Sequence, residues 1–252
     1  MKLILLGSGG WVPTPRRHTC SCLLATDTQL ILIDSGSGLS RLAEYRELYD
    51  RCDTLNVIYT HYHLDHTAGL SYLPNWPQKK RLRIWGPGTA FYPHSCRDIL
   101  STLIAPPYFP RPLENFAEQV EIQDYTADGF AIDDLPVRVL PQQHSQPSCG
   151  LTFGAFLHYA TDTLPLEATF QRAQETRLLL HECWSAPRLP SPGHSSAEEL
   201  SELASRIPVP RMVLIHINPT WTEADEAEAL QAFGGAPHVS IAQDGMEIEL
   251  AG

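Results

Sequence analysis

The sequence has no apolar run near the roughly 20 residues that cross a bilayer, no Cys-x-x-Cys pair and no low-complexity tract. Met1-Lys2-Leu3-Ile4-Leu5-Leu6 gives way at once to Gly7-Ser8-Gly9-Gly10, so it reads as a first β-strand and not as a secretion signal. Basic residues are scarce too: 18 Lys+Arg against 29 Asp+Glu give a formal net charge of −11 over 252 residues. That balance weighs against a large nucleic-acid surface, whose affinity comes from Lys and Arg displacing counterions, but leaves room for a small phosphorylated substrate. Charged residues make up 19% of the chain and hydrophobic ones 43%, which suits a compact globule with a full core and not a disordered polymer. The six cysteines are scattered and read as reduced thiols in a cytoplasm. No composition shift marks a boundary, so one domain over residues 1–252 is expected.

Short strands alternate with helical segments. Strands are expected at Lys2 to Leu6, at Ser21 to Ala25 and Gln29 to Ile33 as a hairpin about Asp27-Thr28, and at Asn56 to Thr60 and Leu82 to Trp85. Further strands are expected at Val120 to Tyr125, Val137 to Pro141, Gly150 to His158, Leu178 to His181 and Arg211 to Ile217, with two short ones in His238 to Leu250. Helices are expected at Leu39 to Tyr49, Ala90 to Leu103, Ser196 to Ile207 and Glu223 to Phe233. Prolines at 106, 107, 110 and 112 make that stretch irregular. The pattern is α/β, two sheets with helices outside.

The densest chemistry is Thr60-His61-Tyr62-His63-Leu64-Asp65-His66, an H-x-H-x-D-H run at the end of an apolar strand. Imidazole and carboxylate side chains this close converge only if the chain turns sharply, as it does on leaving a strand for a helix. Together they suit Zn²⁺, Mn²⁺ or iron at an open, catalytic site.

This run resembles that of the metallo-β-lactamase fold superfamily of binuclear metallohydrolases. The resemblance implies a four-layer αββα sandwich and supplies later ligands in order: His144 in Gln142-Gln143-His144-Ser145, Asp162 in Ala160-Thr161-Asp162-Thr163, and His216 closing Val213-Leu214-Ile215-His216. By resemblance His61, His63 and His144 hold one ion, Asp65, His66 and His216 the other, and Asp162 bridges both. The implied cofactors are two divalent ions, Zn²⁺ or Mn²⁺, which a bridging carboxylate keeps about 3.5 to 4 Å apart.

Within the superfamily the chain resembles the phosphodiesterase branch, which contains ribonuclease Z and the phosphoribosyl cyclic phosphate phosphodiesterase. Gly7-Ser8-Gly9-Gly10-Trp11-Val12-Pro13 matches its G-x-G-x-x-x-P opening, Ile33-Asp34-Ser35-Gly36 its I-D-x-G, and Gly193-His194-Ser195-Ser196-Ala197-Glu198-Glu199 its G-H-S-T-A-x-E. The last implies that His194 contacts the scissile phosphate and protonates the leaving alkoxide, beside a hydroxide held between the metals with Asp65 among its ligands. Glu182, in His181-Glu182-Cys183-Trp184, is a candidate to orient His194 or a metal-bound histidine. Arg16, Arg17 and His18 are candidates for binding a terminal phosphate.

Two features favour a small or cyclic phosphodiester over tRNA. Residues 100–135 hold one basic residue, Arg111, against seven acidic ones, the reverse of a clasp for RNA. Gln243-Asp244-Gly245-Met246-Glu247 also resembles the D-G-M-E ending of the cyclic phosphate enzyme. The alternatives are a tRNA 3′-processing nuclease and a non-catalytic metal-binding protein. Homodimers are common in the resembling enzymes, though no interface is readable here, and no membrane partner is expected.

Overall fold

The computed structural model describes residues 1–75, 81–189 and 193–250. In chain order its regular elements are β1 (Lys2–Gly7), β2 (Ser21–Ala25), β3 (Leu30–Ile33), α1 (Arg46–Arg51), β4 (Thr54–Ile58), α2 (Leu64–Thr67), β5 (Arg81–Pro87), α3 (Cys96–Leu103) and β6 (Gln119–Tyr125). There follow β7 (Phe130–Ile132), β8 (Leu135–Gln142), β9 (Ser148–Phe153), β10 (Leu157–Ala160), α4 (Glu167–Ala173), β11 (Leu178–Glu182), α5 (Ala197–Arg206), β12 (Met212–Ile215), α6 (Glu223–Ala232), β13 (Val239–Ile241) and β14 (Met246–Glu249). They form two compact units: Met1–Gly7, His18–Thr126 and Asp244–Gly252 in unit 1, and Ser8–Arg17 with Ala127–Gln243 in unit 2. No described helix is long and apolar enough to cross a membrane.

Each unit contains one seven-stranded sheet, in the order β14-β1-β2-β3-β4-β5-β6 for unit 1 and β13-β12-β11-β10-β9-β8-β7 for unit 2. Both follow one plan. Antiparallel strands stand at one side of each sheet and parallel strands at the other, with β3 to β6 parallel in unit 1 and β10 to β13 parallel in unit 2. Parallel neighbours need long crossovers, and these carry the helices: α1, α2 and α3 in unit 1, α4, α5 and α6 in unit 2. Every residue of β2, β3, β10, β11 and β12 is buried, as expected of strands covered on both faces. Burying one Leu or Ile contributes about 1.5–3 kcal/mol, so an all-apolar strand such as Leu30-Ile31-Leu32-Ile33 settles in the sheet centre. The edge strand β6 instead shows Gln119, Gln123 and Asp124 to solvent.

Several local expectations shift. The helix expected from Ala90 starts only at Cys96, where Ser95 caps it through the Asp98 N–H; Pro93 disfavours helix just before it. The segment 150–158 is two strands, because Gly154 (φ 52) turns the chain back between β9 and β10. The helix expected over 39–49 is a 3₁₀ stretch, Ser37–Tyr45, followed by α1. The short elements β7 and α4 carry too few periodic positions to show in the sequence. The two C-terminal strands occur as expected, but in different sheets: β13 beside β12, and β14 beside β1. Helix α5 begins with the expected signals, its Ser196 and Glu199 forming a reciprocal capping box.

Candidate metal centre

The polar residues that matter lie just beyond the carboxyl ends of the parallel strands, the customary place for sites in such sheets. In unit 1, β3 runs into Asp34 and β4 into Tyr59, Thr60 and His61. In unit 2, β10 runs into Asp162, β11 ends in Glu182, and β12 runs into His216. Asp34, Asp162 and His216 all have left-handed backbones, at φ 54, 52 and 50. Strain of this kind costs on the order of 1–3 kcal/mol at a non-glycine residue and collects where side chains must be aimed.

Asp34 organises the unit 1 cluster. Fully buried, it accepts the Thr60 N–H (2.9 Å) and the Thr60 hydroxyl (2.9 Å), and its Oδ2 lies 2.9 Å from His66 Nδ1. Since Thr60 Oγ1 gives its hydrogen to Asp34, the His61 Nδ1 at 3.0 Å must be the donor to it. Both imidazoles therefore keep a lone pair on Nε2, the arrangement of histidines held for a metal by an outer shell. The His61 ring centre lies 4.6 Å from that of His63 and 4.3 Å from that of His66. Asp65 Oδ2 is 3.5 Å from His66 Nε2. Gly36 permits this packing: a Cβ there would lie 2.2 Å from the Asp65 carbonyl oxygen.

In unit 2, Asp162 turns one oxygen to each of two histidines, Oδ1 3.5 Å from His144 Nε2 and Oδ2 3.3 Å from His216 Nε2. Donors sharing a tetrahedral ion at about 2.0–2.2 Å stand about 3.4 Å apart, so these separations suit a carboxylate serving two ions. His144 Nδ1 donates to the Gly193 carbonyl (2.9 Å), which again puts the ring's lone pair on Nε2. Burial holds the His144 pKa below its ordinary value, keeping the neutral form that a metal requires. Gly193 has φ 96, and a Cβ on it would come 2.7 Å from His144 Nδ1. The backbone of Gly10 bonds to Ile217 and leaves the space that His216 fills.

His194 stands beside these two histidines, its ring centre 4.9 Å from that of His144 and 5.7 Å from that of His216. Its Nδ1 is 3.1 Å from Glu182 Oε1, which also accepts the N–H groups of Thr163 and Ser195. Glu182 is wholly buried, and that burial pushes its carboxyl well above the ordinary range. The Trp184 indole stacks on His194, 4.8 Å away at 20°.

The basic loop is arranged differently from expectation. Arg17 is buried, its guanidinium bonded to Ser8 Oγ (2.7 Å), the Ala242 carbonyl and Glu226 Oε1 (2.9 Å). Arg16 pairs with the same Glu226 oxygen at 2.9 Å. His18, in unit 1, places both its N–H and its Nδ1 on Asp244 Oδ2. The two arginines thus anchor the loop through one shared carboxylate. Cys20 and Cys22 are buried thiols, and His158 is a core residue bonded to Thr152. Asp34 and Trp184 carry roles that the sequence did not assign; the I-D-x-G match was the available signal for Asp34.

A ribonuclease Z of Gemmatimonas aurantiaca is 27% identical, over 98% of this chain and 95% of the relative. That alignment runs to 303 positions, so the relative carries stretches that this 252-residue chain lacks. A metallo-β-lactamase fold protein of Bacillus subtilis matches with a TM-score of 0.77 at 20% identity, covering 98% of this chain and 99% of its own. A diphosphatase of the PhnP family matches with a TM-score of 0.76 at 18% identity, covering 98% and 97%. The α/β metallo-β-lactamase sandwich expected from the sequence is therefore the fold of this chain. The family model described as anti-Pycsar protein Apyc1 matches residues 1–236, and the chain belongs to that family.

Proposed function

We propose that this protein is a metal-dependent phosphodiesterase that acts as one hydrolase domain over residues 1–252 on a small or cyclic phosphodiester. The observation that carries the reading is Asp162, whose two oxygens face His144 and His216 separately while His194, braced by Glu182, stands next to both. The ribonuclease Z relative and the PhnP-family diphosphatase support phosphodiester chemistry.

In this reading His61, His63 and His144 hold one divalent ion, Asp65, His66 and His216 the other, and Asp162 serves both; Zn²⁺ and Mn²⁺ suit this donor set. When bound, such ions supply an activated water and neutralise charge on the phosphoryl oxygens. The protein's own part is to fix the tautomers: Asp34 and Thr60 direct Nε2 of His66 and His61, and the Gly193 carbonyl directs that of His144. His194, with Nδ1 held by Glu182, offers Nε2 to the leaving oxygen and delivers a proton there. Six thiols without a disulfide among the described residues fit a reducing, cytoplasmic setting.

The acidic 100–135 stretch, and the absence here of segments that the ribonuclease Z relative carries, favour a small substrate. RNA processing is the second reading, favoured by the length of that relative's match. The test is hydrolysis of bis(p-nitrophenyl) phosphate beside p-nitrophenyl phosphate and an activated carboxylic ester, by protein reloaded with Zn²⁺ or Mn²⁺. Diester turnover lost in Asp65→Ala, and lowered about 10²–10⁴-fold in His194→Ala with metal retained, is expected. Cleavage of the carboxylic ester alone would sink the reading. Cleavage of precursor tRNA with a steep salt dependence would favour the second.

A further inference from the structure

Strand β4 ends at Ile58, so the segment that carries His61 and His63 runs on beyond the named strand. Phenol groups of unit 1 brace that segment. Tyr59 Oη meets Ser35 Oγ at 2.7 Å, the Tyr125 hydroxyl donates to the Tyr59 carbonyl at 2.7 Å, and the Tyr62 hydroxyl donates to the Pro87 carbonyl at 2.8 Å. The last of these starts inside the histidine run itself.

In extended backbone successive side chains point to opposite sides. His63 is extended (φ −59, ψ 149), and its ring stands 4.6 Å from that of His61, while Tyr62 between them packs against the apolar cluster of unit 1. One side chain therefore sets the rotation of the backbone from which both imidazoles project. The Tyr62 ring meets Tyr92 edge-on at 5.1 Å. Gly86 makes room for the phenol, since a Cβ there would run into Tyr62 Oη and Cys96 Sγ. The anchor point is firm: beyond Pro87, Asp124 accepts the N–H groups of Thr89 (3.3 Å) and Cys96 (2.8 Å). The ring alone would fill the apolar space; the hydroxyl adds a directional link between the histidine run and the end of β5.

We propose that Tyr62 is a positioning residue: by tying its phenol to the end of β5 it sets the angle at which His61 and His63 face a metal ion. The proposal rests on the metal-centre reading given under the proposed function. Its test is loading of the full chain with Co²⁺, whose visible d–d bands report coordination geometry, and competition of the bound Co²⁺ against a chelator. Tyr62→Phe keeps the ring and loses the tether, so it should shift the bands and weaken Co²⁺ binding about 5- to 10-fold, the share of one buried hydrogen bond. Tyr62→Leu loses both and should weaken it about 10–100-fold. Tyr49→Phe, which changes a buried tyrosine on α1, is the control and should leave bands and affinity as they are. Melting curves check that each variant is folded; should Tyr62→Leu fail to fold, Tyr62→Phe decides alone. A folded Tyr62→Phe with the bands and affinity of the wild type, or a Tyr49→Phe that shifts them as far, overturns the anchoring role only. A wild-type protein that takes up no Co²⁺ overturns the metal-centre reading, and this role with it.

Discussion

Gly10→Ala tests how the backbone positions His216, a proposed metal ligand. A Cβ at Gly10 would lie 2.4 Å from both Cε1 and Nδ1 of His216 and 2.7 Å from its Nε2. Ordinary contact needs about 3.4 Å, so the imidazole must retreat by about 1 Å, where metal sites tolerate displacements of about 0.2 Å. The ring has little freedom, being buried between Asp162, 3.3 Å away, and Trp184. Overpacking of this kind costs about 1–3 kcal/mol, which in a chain of this length lowers Tm by about 2–12 °C. A ligand misplaced by 1 Å lowers turnover by about 10²-fold. The assay is competition of the bound metal against a chelator, with kcat/KM measured on the same samples. Gly234→Ala is the control: φ there is 64, but nothing stands within 4 Å of the new Cβ. It should lower Tm by backbone strain alone and leave metal affinity untouched. A Gly10→Ala protein that holds its metal and turns over like the wild type would refute the reasoning.

Two further outcomes follow from the buried polar groups. Asp34→Ala removes the acceptor of His66 and Thr60, so metal affinity should fall about 10–100-fold in the same competition assay; unchanged affinity would show that the outer shell is idle. His158 is fully buried, and desolvation lowers its pKa from 6.5 to about 3. Its neutral form suits the fold at pH 7, whereas the unfolded chain takes up a proton as the pH falls through 6.5. Stability is thus complete above about pH 6.5 and drains away down to about pH 3. Between pH 7 and pH 5 the loss is about 2 kcal/mol. Chemical denaturation at both pH values should show that difference in the wild type and a smaller one in His158→Gln; equal slopes would refute it.

The proposed ligands could be picked out because most of them are local: an H-x-H-x-D-H run and a histidine closing an apolar strand need no tertiary information. The strands at the sheet centres were legible for the same reason, their apolar runs being uninterrupted. What stayed hidden depends on partners distant in sequence. Arg16 and Arg17 look like phosphate ligands until Glu226, some 210 residues later, is found between them. Asp34 looks like a turn residue until His66 is found on its carboxylate. Nor does spacing reveal that β13 and β14, separated by only the four residues from Ala242 to Gly245, belong to different sheets.

The pairing of β1 with β14 bears on biosynthesis. The register sets Lys2 against Glu249 and Leu5 against Met246, so one edge of β1 has no partner until almost the whole described chain has been translated. During that interval the apolar strand Leu3-Ile4-Leu5-Leu6 shows an open edge to the nascent-chain environment, where exposed edges invite mispairing. Completion of the unit 1 sheet is therefore a late event, and a ribosome stalled before Met246 would leave a chain whose histidines are all made but whose first sheet is still unclosed.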